Sequence, residues 1–192
     1  MATLEQLLSD LTSGDYARAE AAVPALTLHK KEAIEALTSL LDSPIADQRW
    51  WATRALSAFP QPRASQLLTE ALSDPDPSIR QCAALGLSKQ PTELAIQPLI
   101  EQLEYEDQLL NRLAADALAA IGAAAIPELS RASKHPDAKV RIQAVRAMAL
   151  MESPEAIGPL FKAIEDPSTM VTYWAEEGLD RLGIGMSFFN PG

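Results

Sequence analysis

Cys82 is the single cysteine of the chain, so no internal disulfide can form and no cysteine cluster can hold zinc. Histidine is almost as scarce. His29 and His135 are the two present, and neither has a second His or a Cys at ligand spacing. No His-Glu dipeptide occurs, and no glycine-rich loop is built to cradle phosphates. Aromatic residues make up only 5% of the chain, and the β-branched residues that favour strands are few. Basic residues are also short, 16 Lys and Arg against 26 Asp and Glu, for a net charge of -10. A general nucleic-acid binder needs a cationic surface to displace counterions from phosphates, so that class is disfavoured. No apolar run reads as the ~18 residues that a membrane span requires. The opening stretch carries acids and lacks the basic region of a signal peptide. A cytoplasmic location is the expectation, with no catalytic, metal or cofactor site.

What is abundant is Ala and Leu, within a hydrophobic fraction of 47%. These are strong helix formers, so an all-α protein is expected. The chain of 192 residues is also repetitive. Anchored on Ala83, one position recurs at Ala21, Ala52, Ala114, Ala144 and Ala175, with a period of 30 or 31 residues. Four residues after each anchor stand Ala25, Leu56, Leu87, Leu118, Met148 and Leu179. Four residues before stand Ala17, Gln48, Ile79, Leu110, Val140 and Val171. Earlier in each unit lies a second apolar stretch with helical spacing, such as Leu67/Leu68/Ala71/Leu72 or Ile157/Leu160/Phe161/Ile164. Turns rich in Asp, Pro and Ser separate the two stretches, as at Asp74-Pro75-Asp76 and Asp166-Pro167-Ser168. Six helix-turn-helix units are therefore predicted. A helical pair this short cannot bury its apolar face alone, so the units must stack into an α-α superhelix over residues 1–183. Residues 184–192 fall outside the period and carry the apolar Met186 and Phe188-Phe189. This tail is expected to cap the last repeat or to dock on a partner.

The pattern of an apolar residue, Arg, two further residues and Ala, behind an Asp-Pro turn, resembles HEAT repeats. The short period and Ala-rich second helix are most similar to the subclass named after phycobilisome lyases. The resemblance spans nearly the whole chain and implies a HEAT-like α-solenoid. For function it implies a range: scaffolds, bilin lyase subunits, phycobilisome-associated factors and assembly chaperones.

Three residues before the anchors stand Arg18, Arg49, Arg80, Asn111, Arg141 and Thr172. An acid precedes each arginine by two to four residues: Asp15, Asp47, Asp76 and Asp137. The column reads as an inter-repeat ladder, in which each planar guanidinium bonds carboxylates and carbonyls of turns. The alternative is an anion-binding strip.

At about 100° per residue, positions two before and two after the anchor lie nearly opposite the core stripe. These are Trp50 and Arg54, Gln81 and Leu85, Arg112 and Asp116, Ile142 and Arg146, and Tyr173 and Glu177. They are the expected partner-binding residues, lining a concave groove. Trp and Tyr beside Arg is the composition of interface hot spots. Trp51 and Trp174, one residue before their anchors, are expected to pack inward, and Cys82 to be a buried structural thiol. Residues 124–154 are locally basic, with five bases against three acids. The expected function is a non-enzymatic protein-interaction scaffold, with a bilin lyase subunit or phycobilisome-associated factor as the alternative.

Overall fold

The computed structural model describes residues 2–184. The predicted capping or docking tail therefore lies outside the described residues, apart from Ile184. Twelve α-helices and no strand occur among the described residues, as the composition predicts. The chain divides into two compact units, residues 1–95 and 96–192. The first holds α1 (Leu4–Leu11), α2 (Tyr16–Leu26), α3 (Lys30–Leu41), α4 (Ala46–Leu56), α5 (Pro62–Ala71) and α6 (Pro77–Lys89). The second holds α7 (Ile96–Gln102), α8 (Gln108–Ile121), α9 (Ile126–Ala132), α10 (Ala138–Leu150), α11 (Ile157–Ala163) and α12 (Thr169–Arg181). In each unit the helices pair in chain order, odd with even. The even helices then stack on one another, α4 on α6 and α10 between α8 and α12. This is the α-solenoid arrangement of HEAT-like repeats.

The helix starts follow from local chemistry. Asp15, Asp76, Asp107 and Asp137 are N-caps whose carboxylates accept backbone N–H groups at 2.8–3.1 Å. Thr3 and Gln6 form a reciprocal capping box. Pro62, Pro77 and Pro127 sit in first turns, where the missing N–H does no harm.

The caps also correct the register of the first repeat. In the other five even helices the N-cap precedes the anchor alanine by seven residues, as Asp76 does Ala83. Counted from Asp15, the anchor of α2 is Ala22, which is buried, whereas Ala21 is exposed. The alanine-rich run offered both. Arg18 then drops out of the arginine column, its place taken by the buried Ala19.

The second correction concerns apolar runs. Gln108–Ala132 is apolar and long enough to match a membrane span by composition. It folds instead as two helices, because Gly122 at φ +81° reverses the chain after α8. The apolar residues of α8 and α9 pack within the repeat stack.

The arginine column is a ladder, but its partners differ from those nearest in sequence. Arg49 donates through Nε and Nη2 to the two oxygens of Asp74, at 2.7 and 3.0 Å. Arg141 grips Asp166 in the same way, at 2.8 and 3.1 Å. Each acid lies in the turn of the following repeat, 25 residues on. The acids close to the arginines in sequence are occupied as N-caps, and Asp47 sits in the first turn of α4. A second contact is shared by more of the column. Arg49, Arg80, Asn111 and Arg141 each donate to the carbonyl six residues upstream, at 2.8–3.1 Å. Asn111 keeps this turn contact and adds Gln102 O at 2.7 Å, but its short amide has no fork to offer the next repeat. The Thr172 hydroxyl donates within its own helix, to Thr169 O at 3.0 Å.

Both rungs are largely screened from solvent, with Arg49 and Asp74 side chains 14% and 10% exposed. The hydrogen bond from Arg141 holds the Asp166 carboxyl below its ordinary range, and hydrogen bonding to Asp166 in turn raises Arg141.

Three outcomes are expected from this packing. A Cβ at Gly178 would lie 2.8 Å from the Cα of Ala149 and 2.9 Å from Leu160 Cδ1. Gly178→Ala should destabilise the fold by about 2 kcal/mol despite alanine's better helix propensity. Gly158→Ala, with nothing within 4 Å of the new carbon, should be neutral or mildly stabilising in urea denaturation. Arg141→Ala strands a screened carboxylate and should cost about 2–3 kcal/mol. Arg18→Ala, on a side chain 57% exposed and paired only with Asp10, should cost well under ~1 kcal/mol. The third outcome concerns pH. Asp166 has its folded pKa lowered, so its contribution is complete above the unfolded value of about 4 and is lost as pH falls through the folded value. Asp166→Asn should therefore lose less stability than the wild type between about pH 5 and pH 2, measured by urea midpoints.

Candidate binding face on the second helices

The solvent-facing sides of the even helices carry the ten residues singled out by spacing, and none of the ten is buried. In the first unit, Trp50 is half-buried and meets the buried Trp51 edge to face, with centroids 4.9 Å apart. Tyr16 lies 5.6 Å from the same Trp51 ring. Arg54 is paired with Glu20 of α2 and donates to Ser57 Oγ at 3.3 Å. On α6, Gln81 is half-buried and Leu85 stands 45% exposed.

The second unit assembles a denser group. Arg146 on α10 donates to Asp116 on α8 at 2.7 Å, and its guanidinium carbon lies 5.6 Å from the centroid of Trp174 on α12. Tyr173 packs edge to face on Trp174 at 5.3 Å and remains 51% exposed. Three consecutive even helices are thus joined by one ion pair, α8 to α10, and one cation–π contact, α10 to α12, with the Tyr173–Trp174 pair set at the end of the series. Ile142 is half-buried, Arg112 is exposed, and Glu177 accepts from Arg181 at 2.9 Å.

Spacing predicts that all ten residues lie away from the core, and none is buried; two further residues, Trp174 and Glu20, adjoin them. Trp174 is half-buried under Arg146 rather than a core residue, while Trp51 packs inward as expected. Glu20 enters because the first repeat is shifted by one residue. A signal existed for Trp174: an aromatic pair, Tyr173-Trp174, on the even helix that follows the one carrying Arg146.

Cys82 is buried, and the loss of solvation pushes its thiol up to about 11, which matches an inert structural cysteine. No group of three or more His, Cys, Asp or Glu among the described residues could hold a metal ion. His135 is tied into its turn, its Nδ1 accepting Asp137 N–H at 3.1 Å. The face can bind through shape, aromatic area and fixed charge.

Comparison with known proteins agrees with this architecture. The family model described as HEAT repeats matches residues 2–88, 49–119 and 96–180. No curated protein matches the chain. Among solved structures, the complex of CpcE and CpcF of phycocyanin lyase from Nostoc sp. PCC7120 is similar at 25% identity and TM-score 0.58. The match covers 93% of this chain and 76% of that one. The archaeal HEAT-like repeats protein from Thermococcus onnurineus NA1 is similar at 15% identity and TM-score 0.65, over 94% of this chain and 80% of that one. A designed armadillo repeat protein in complex with peptide (KR)4 matches at 18% identity and TM-score 0.50, over 94% and 99% of the two chains. With matches to the repeat model over almost all of the described helices, the chain belongs to the HEAT-repeat family.

Proposed function

We propose that the chain is a non-enzymatic scaffold that holds a partner protein against the exposed faces of its second helices. The observation that carries this reading is the group formed by Asp116, Arg146, Trp174 and Tyr173. It keeps an aromatic ring presented to solvent in a fixed setting, so little side-chain freedom is lost on binding. Aromatic rings with adjacent arginine dominate protein interfaces energetically. HEAT and armadillo folds commonly bind protein partners, which supports the class of function.

A second reading rests on the likeness to the phycocyanin lyase complex over 93% of the chain: a subunit of an enzyme that handles a bilin. Mixing the protein with an open-chain tetrapyrrole separates the two readings. A shift in the pigment's absorbance spectrum favours the second, and an unchanged spectrum the first.

Tyr173 provides the direct test of the scaffold. Tyr173→Ala removes a ring that is half in solvent, so the melting temperature should hardly move. Binding to a partner isolated by affinity capture and identified by mass spectrometry should weaken roughly tenfold or more, the size of a hot spot. Unchanged binding would remove α12 from the interface. Unfolding would assign the ring to packing.

A further inference from the structure

The second unit contains a basic cleft that the binding face does not use. It lies along the turns beside the Arg141–Asp166 rung and has a volume of about 760 Å³. Lys134 and Lys162 line it, and neither forms an ion pair among the described residues. Both side chains belong to exposed residues and so are free to close on a ligand.

The first unit supplies an internal comparison. Beside the Arg49–Asp74 rung, at the same place in the repeat, is a cleft of about 190 Å³. There the position of Lys134, ten residues before its anchor, is held by Asp42. The position of Lys162, thirteen before its anchor, is held by Glu70. The rung beneath both clefts is the same, so stacking does not require lysine at either place. In a chain with net charge -10, two unpaired lysines meeting in an enlarged cleft need a further cause.

We propose that this cleft binds a small phosphate monoester. Lysine ammonium groups act as point charges with three donors each, which suits a tetrahedral anion with several oxygens. The one arginine fork in the cleft, that of Arg141, is already committed to Asp166 and to turn carbonyls. The lysines are the donors left for the anion, since the Ser133 hydroxyl donates to Ser130 O at 3.0 Å and that of Ser130 to Met148 Sδ at 4.0 Å, and Glu165 offsets only one of the two charges. Pro136, Pro159 and Pro167 contribute apolar wall for the organic part of the ligand. The volume falls within the range of small-molecule sites, about 300–1,000 Å³. This assignment does not rest on the scaffold reading, because the cleft and the second-helix face share no residue.

Calorimetric titration of the full chain with phenyl phosphate tests it, with phthalate as a carboxylate dianion of similar size. Saturable binding of phenyl phosphate is expected, at least roughly tenfold tighter than phthalate. Lys134→Glu with Lys162→Glu, which recreates the charge of the first unit's cleft, should abolish the binding and leave the melting temperature unchanged. If the double reversal perturbs folding, the neutral pair Lys134→Gln and Lys162→Gln serves instead, and should weaken binding at least tenfold. Absence of saturable binding, binding that survives in a folded variant, or equal affinity for phthalate would each overturn the proposal.

Discussion

Each helical pair in this protein is too thin to shield its own apolar stripe, and that constraint shapes everything else. The remedy is close stacking of the even helices, made possible by alanine at the contact. Ala52, Ala83, Ala114, Ala144 and Ala175 are all fully buried. A side chain of one carbon lets neighbouring backbones approach, while Leu and Val on either side fill the space between the pairs. Gly178 is the extreme case, where the approach leaves no room even for a methyl group. Stability then comes from a series of neighbour contacts rather than from one large core.

Polar groups at the turns are arranged to serve that stacking. Aspartates cap four of the even helices, α2, α6, α8 and α10, each through a carboxylate oxygen that accepts a first-turn N–H. Where it holds Arg or Asn, the arginine position serves its own turn carbonyl, and Arg49 and Arg141 reach the next repeat as well. That division explains how the column accepts Asn111: an amide satisfies the carbonyl, and only the inter-repeat carboxylate is given up. It also explains why a guanidinium is retained where the next turn carries Asp74 or Asp166, since a planar fork makes both contacts at once.

Residues with no role in stacking are the ones left free to serve binding. On the outer side of the even helices these include Tyr173 and Leu85, left exposed among charges, with Arg146 fixing Trp174 from the neighbouring helix. At the turns they include Lys134 and Lys162, whose counterparts in the first unit are acidic. A repeat fold makes such departures visible, because each position has equivalents that show what packing alone demands.

Much of this was legible before any coordinates. The period, the apolar columns and the Asp-Pro turns determined an all-helical chain of six pairs, and helical geometry put ten residues on the solvent side of the second helices. Those features depend on one helix at a time, and a periodic sequence states them directly. Other features depend on which neighbour comes within reach. Ala21 and Ala22 are equivalent as letters, and only the cap at Asp15 and the burial of one of them decide the register. Arg49 has Asp47 two residues away in sequence, yet its partner is Asp74, because the turn of the next repeat is brought against it. Gly122 interrupts an apolar run that composition alone would join. Trp174 reads as a core residue until Arg146 is seen lying over it. In each case the energy comes from a contact between segments, and the tertiary structure alone decides which segments meet.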